Sequence, residues 1–188
     1  MVLRGIFMLR KKELDWFYQD GASRIFPEAW KNFINQIDES KRDNLMQAYH
    51  EIFVGSYKQK SFNAAIAWSK WEAACSSIDY SPERVEEFSN PEFALAFALI
   101  ENHYFMNAGF LNNENQLLDG VEKIRSIPTV IVQGRYDIVC PAGTAYELSE
   151  RWPEASLVIA PFSGHSAFEK EITHELILAT DKFGGMDR

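Results

Sequence analysis

The sequence predicts an α/β protein in which a long helical region precedes a short parallel sheet. Three observations predict it. From Leu9 to about Ile100 apolar residues recur at helical spacing almost without a break. After Ile127 the pattern changes to short apolar runs bounded by turn residues, TVIV at 129–132 and SLVIA at 156–160. Between those runs lies one helix-length segment, and strand, helix, strand is the unit of a parallel sheet.

Each element follows from its own residues. VLRGIF, near the start, alternates like a strand and runs directly into a helix, so residues 1–8 are assigned to the sheet. A buried element with no polar lead-in predicts that the sheet continues into residues outside this chain. The same stretch lacks the charge order, long apolar core and small-residue cleavage site of a signal peptide. Pro27 and Pro91 sit where a first helical turn tolerates proline, and Asn90 is a good cap. Leu45, Met46, Tyr49, Ile52 and Phe53 recur at helical spacing before Gly55. Ala64, Trp68, Trp71 and Cys75 draw one stripe down a further helix. PEFALAFALIENHYF is apolar on nearly every side, which predicts a helix buried on nearly every side. The helical stretch is therefore a compact bundle of short helices, and after Ile127 the chain returns to the sheet. There a helix from about Ala142 to Trp152 begins after Pro141, a last helix runs from roughly Ala167 to Phe183, and GGMDR closes the chain as a frayed tail.

At 188 residues the chain can hold one domain with a full core, or a modest domain plus an insertion. With 46% apolar and 24% charged residues it has the composition of a soluble globular protein, with no stretch near the ~20 apolar residues of a membrane helix. A net charge of −8 sets a repulsive field against nucleic acid but not against a small cationic ligand. The two cysteines, Cys75 and Cys140, are too few for a disulfide-dependent secreted fold and read as reduced thiols in the cytoplasm. His50, His103 and His174 show no zinc-ligand spacing and read as structural or exposed.

In open parallel sheets the chemistry collects beyond the carboxyl ends of the strands. Asp137, in GRYDIVCP, comes five residues after Val132, and His165, in FSGHSAFE, comes five after Ala160. If the two strands are neighbours joined by one crossover, their loops leave the same edge side by side. A carboxylate beside an imidazole fixes the ring tautomer and stabilises the imidazolium, which is the orienting role in serine hydrolases. The order Asp then His, after a nucleophilic serine, is that of α/β-hydrolases. A lone Asp and His in loops are also commonly structural, and the residues alone leave both readings open. No G-x-S-x-G exists in the chain: GASRI ends in Ile25, and VGSYK places Ser56 directly after Gly55. Cys140 is a poor substitute, because a nearby carboxylate disfavours its thiolate.

Taken together, GRYDIVCP, RWPEA, SGHSAFE and ITHELILATDKF resemble the C-terminal part of proline iminopeptidases. The resemblance continues upstream through VLRGIF, LDWFYQDGASRIFPEAW, AWSKWEAA and FALAFALIENHYF, covering Val2 to Phe183. It implies a partial α/β-hydrolase sheet carrying an all-helical cap inserted after VLRGIF, with the cap at 9–118 and the sheet portion at 1–8 and 119–188. It further implies acyl transfer through a serine to release an N-terminal proline, with no metal or organic cofactor, and it places the catalytic Asp and His on Asp137 and His165. Acidic cap residues that bind the substrate's amino group fall on Glu72 and Glu101, and the apolar slot for the proline ring on Phe7, Phe17, Phe105 and Cys140. Both glutamates lie beside apolar stretches, and a buried carboxylate needs a cation or hydrogen bonds.

The nucleophile and oxyanion hole of that family fall outside the matching residues, so the expectation is a fragment inactive alone. The alternative is a non-catalytic module that binds peptides through an N-terminal proline. An independent hydrolase with another nucleophile ranks last. An exposed sheet edge predicts self-association or pairing with a complementing N-terminal segment.

Overall fold

The computed structural model describes residues 1–79 and 81–185; the predicted tail residues 186–188 lie outside the described residues. In chain order the elements are β1 (Val2–Arg4), α1 (Lys11–Tyr18), α2 (Pro27–Ile34), α3 (Leu45–Phe53), α4 (Lys58–Cys75), α5 (Pro82–Glu87), α6 (Pro91–Met106), α7 (Gln116–Asp119), β2 (Val130–Gly134), α8 (Ala142–Arg151), β3 (Ser156–Ala160) and α9 (Lys170–Gly184). They form two compact units: Met1–Met8, Ser76–Ile78 and Asn112–Arg188 make one, and Leu9–Cys75 with Asp79–Leu111 the other.

The first unit is a parallel three-stranded sheet in the order β1-β2-β3, with Val132 opposite Arg4 on one side and Val158 on the other. The middle strand is buried along its whole length. Ile131 packs with Ala145 and Leu148 of α8, with Trp152 just after it and with Leu118 and Val121, while Val130 and Val132 pack with Ile172 and Ala179 of α9. Successive side chains of a strand point to opposite faces, so a strand covered on both must be apolar at every position. That is why TVIV is a continuous run. Full burial of each such side chain contributes about 1.5–3 kcal/mol.

VLRGIF yields a shorter strand than its alternation predicts. Gly5 has φ +54°, which turns the backbone out of the ladder after Arg4. The Ile6 amide donates instead to Gln133 Oε1 at 3.1 Å.

The second unit is helical. α4 buries the predicted stripe, with Ala64 and Trp68 at 0%, Trp71 at 1% and Cys75 at 2% exposure. Trp68 stacks on Tyr18 at 4.6 Å between ring centroids, and Phe33 stacks on Tyr49 at 4.5 Å. Such pairs add about 0.5–1.5 kcal/mol each beyond the area they bury. The buried polar ends are satisfied: Tyr49 Oη donates to the Phe33 carbonyl at 2.8 Å and Trp71 Nε1 to the Phe17 carbonyl at 3.2 Å.

α6 corrects the prediction of all-round burial. Asn90 caps it, accepting from the amides of Glu92 and Phe93. Its buried residues are the stripe Ala94, Ala98 and Asn102, whereas Phe93, Ile100 and Tyr104 are 45%, 60% and 49% exposed. Small side chains let α4 and α6 approach closely along one stripe. Apolar residues on the other faces show what the helix could bury, not what is present to cover it.

Candidate active site

The carboxyl ends of β2 and β3 lie side by side, since Gly134 is in register with Ala160. Beyond them the ladder continues for two bonds: the Arg135 amide donates to the Ala160 carbonyl and the Tyr136 amide to the Ser163 carbonyl, both at 2.9 Å. The two loops are therefore held against each other by backbone before either functional side chain appears. Gly134 permits this closeness. A Cβ there would meet the Gly164 carbonyl oxygen at 2.0 Å and that of Ser163 at 2.6 Å.

Asp137 is 3% exposed, and its Oδ2 lies 2.9 Å from His165 Nδ1. Two further donors reach the same carboxylate: the Cys140 amide to Oδ1 at 2.7 Å and Gln133 Nε2 to Oδ2 at 2.9 Å. His165 keeps its ring edge open, with 21% of its side chain exposed. No hydrogen bond among the described residues engages its Nε2. An imidazole anchored by a carboxylate at Nδ1 and open at Nε2 can accept a proton from a hydroxyl brought to it.

The His165 loop is pinned on every side. Its backbone amide and that of Ser166 donate to the Ser76 carbonyl at 3.0 and 2.7 Å, and the Arg4 guanidinium bonds the His165 carbonyl. Glu169 accepts from the amides of Gly164 and, at 2.7 Å, Ile78. Glu171 accepts from the Phe162 amide at 2.8 Å. Gly5 faces the ring itself: a Cβ there would sit 3.0 Å from His165 Cε1.

In the helical unit, Glu72 and Glu101 hang from the two ends of one stacked pair. Tyr18 Oη donates to Glu72, which is 6% exposed, and Trp68 Nε1 donates to Glu101 Oε2 at 2.8 Å. Burial raises the Glu101 carboxyl to about 7, opposed in part by the Trp68 hydrogen bond. No lysine or arginine forms an ion pair with Glu101 among the described residues. Phe17 is 3% exposed, with its ring 5.3 Å from that of Trp71, and the half-buried Phe105 ring lies 5.5 Å from Tyr18. Glu72, Glu101, Phe17 and Phe105 thus gather around Tyr18, Trp68 and Trp71. Phe7 and Cys140 belong to the sheet unit, where Cys140 is buried and binds Asp137 through its backbone. Burial, with Glu72 and Glu28 nearby, pushes the Cys75 thiol far above its ordinary range. Among the described residues there is no cluster that could hold a metal ion and no helix long and apolar enough to cross a membrane.

Gln133, Ser76, Glu169 and Gly5 were not candidates from sequence. Only Gly5 carried a signal, as a glycine inside a strand pattern.

The chain is 50% identical over 183 residues to the proline iminopeptidase of Xylella fastidiosa strain Temecula1, covering 97% of this chain and 58% of that protein. It is related to proline iminopeptidases. The proline iminopeptidase of Arabidopsis thaliana is 48% identical over 97% of the chain, and that of Neisseria gonorrhoeae 42% identical over 96%. The chain spans 48% and 57% of those two relatives. No family model matches it.

Proposed function

We propose that the chain carries the proton-handling pair and the amine-binding helices of a proline iminopeptidase, a cytoplasmic serine hydrolase that releases N-terminal proline from peptides. The 2.9 Å contact between Asp137 and His165 carries this reading, and the kinship with proline iminopeptidases supports the substrate class. His165 Nε2 takes the proton of an attacking serine hydroxyl and returns it to the leaving amine, while Asp137 holds Nδ1–H and stabilises the imidazolium. The 188 residues contain no G-x-S-x-G. The serine and the oxyanion donors accordingly come from polypeptide other than these residues, and the chain by itself is inactive.

Glu72 and Glu101 receive the prolyl ammonium. Phe17 and Phe105 beside them supply apolar contacts to the ring. The complementing segment pairs along the free side of β1, and without it the chain self-associates there, which light scattering at micromolar concentration reads directly.

The purified chain is expected to show no hydrolysis of a proline arylamide. Turnover that disappears in His165→Ala would overturn that. A second reading, a non-catalytic module for peptides with N-terminal proline, is favoured by the carboxyl of Glu101, which has no cation beside it among the described residues. It requires saturable binding of prolinamide by the chain alone, lost in Glu101→Gln.

A further inference from the structure

Gln133 is fully buried at the end of β2, between the last apolar residue of the strand and Gly134. Every hydrogen-bonding group of its amide is in use. Oε1 accepts from the Ile6 amide at 3.1 Å, and Nε2 donates to Asp137 Oδ2 and to the Cys140 carbonyl, both at 2.9 Å. The flipped amide would set oxygen against both acceptors and NH2 against the Ile6 N–H, so the network admits one orientation.

Asp137 in turn is fixed at both oxygens. Oδ1 takes the Cys140 amide, and Oδ2 divides between Gln133 and His165 Nδ1. Rotation of the carboxylate about its Cβ–Cγ bond breaks the bonds to Cys140 and Gln133 together. The carboxylate plane is therefore set by groups other than the histidine it serves. Gln133 also ties this plane to the chain leaving β1, through Ile6, and so to the segment whose Gly5 faces the imidazole.

Resting on the proposed hydrolase reading, we infer that Gln133 is a positioning residue for the proton-handling pair, holding Asp137 so that one lone pair of Oδ2 stays directed at His165 Nδ1. It touches neither the proton acceptor Nε2 nor any substrate; it acts through Asp137. A polar side chain merely tolerated in the sheet could lose its amide without altering the imidazole.

The test follows the His165 Nδ1–H resonance by nuclear magnetic resonance in the 15N-histidine-labelled 188-residue chain, assigned through its loss in His165→Ala. Asp137→Asn is the arm for the pair itself, and Gln133→Met and Gln133→Glu are the arms for the proposal. Glu keeps the shape of Gln while replacing the donor with an acceptor, so it carries the test should Met fail to fold. Circular dichroism and tryptophan fluorescence report folding of each variant. The expected result is a downfield Nδ1–H signal protected from solvent in the parent chain and lost in Asp137→Asn. In both Gln133 variants its exchange should accelerate at least about tenfold, the scale on which supporting groups act. A signal lost in Asp137→Asn but unchanged in folded Gln133 variants overturns the role of Gln133 alone. A signal unaffected by Asp137→Asn overturns the pair and Gln133 with it.

Discussion

Replacing Glu101 by Gln should make the helical unit more stable, and increasingly so as pH rises. Burial lifts this carboxyl to about 7 in the folded chain from an ordinary 4.5, and Trp68 Nε1 donates a hydrogen bond to it. Because the folded value lies above the unfolded one, the protonated acid is the form the fold prefers. Its contribution is intact below pH 4.5, declines as the unfolded chain gives up its proton first, and is gone once pH passes about 7. The full difference corresponds to about 3 kcal/mol, and partial contact of the side chain with solvent brings the expectation to about 2–3 kcal/mol. Gln keeps an oxygen for Trp68 Nε1 and never ionises. Urea unfolding followed by tryptophan fluorescence suits the measurement, since Trp16, Trp30, Trp68 and Trp71 all lie in the helical unit. Glu101→Gln and the parent should be equally stable at pH 4 and differ by about 2–3 kcal/mol at pH 8. A difference independent of pH, or one that shrinks toward pH 8, would refute the reasoning.

Three further outcomes follow from the sheet unit. Gly134→Ala forces a methyl against two backbone carbonyls that cannot rotate away, so it should cost about 1–3 kcal/mol in urea unfolding and disturb the His165 resonances. Gly5→Ala places a side chain at φ +54° against the imidazole; a loss of about 1–2 kcal/mol and a shifted His165 signal are expected. Glu169→Ala leaves the amides of Gly164 and Ile78 without their acceptor, and hydrogen exchange at both should accelerate while β2 stays protected.

Much of the sheet was legible because its strands obey a local rule. A strand covered on both faces shows an unbroken apolar run, as Val130–Val132 of β2 does, and the partly buried β3 shows one from Leu157 to Ala160. The juxtaposition of Asp137 and His165 was legible for a topological reason: loops leaving adjacent parallel strands share an edge. What holds the pair was not. In the sequence Gln133 is only the residue between the apolar run and Gly134, since burial of an amide among three partners leaves no trace in spacing. Ser76 acts through its carbonyl, an atom every residue carries. Glu169 carries no pattern that sets it apart from the other charges near α9. α6 misled in the opposite direction, because a surplus of apolar residues describes capacity for burial without naming the surface that supplies it. The placement of Glu72 and Glu101 beside apolar stretches was readable, but their hydrogen bonds to Tyr18 and Trp68 needed three dimensions.

The central claim is that His165 and Asp137 form a working proton relay for a serine carried by other polypeptide. Mixing the 188-residue chain with the separately made portion of the Xylella fastidiosa relative that it does not match tests this most directly. The account predicts hydrolysis of a proline arylamide that appears only on mixing and disappears when the chain carries His165→Ala. A stable one-to-one complex without turnover, or turnover indifferent to His165→Ala, would contradict it.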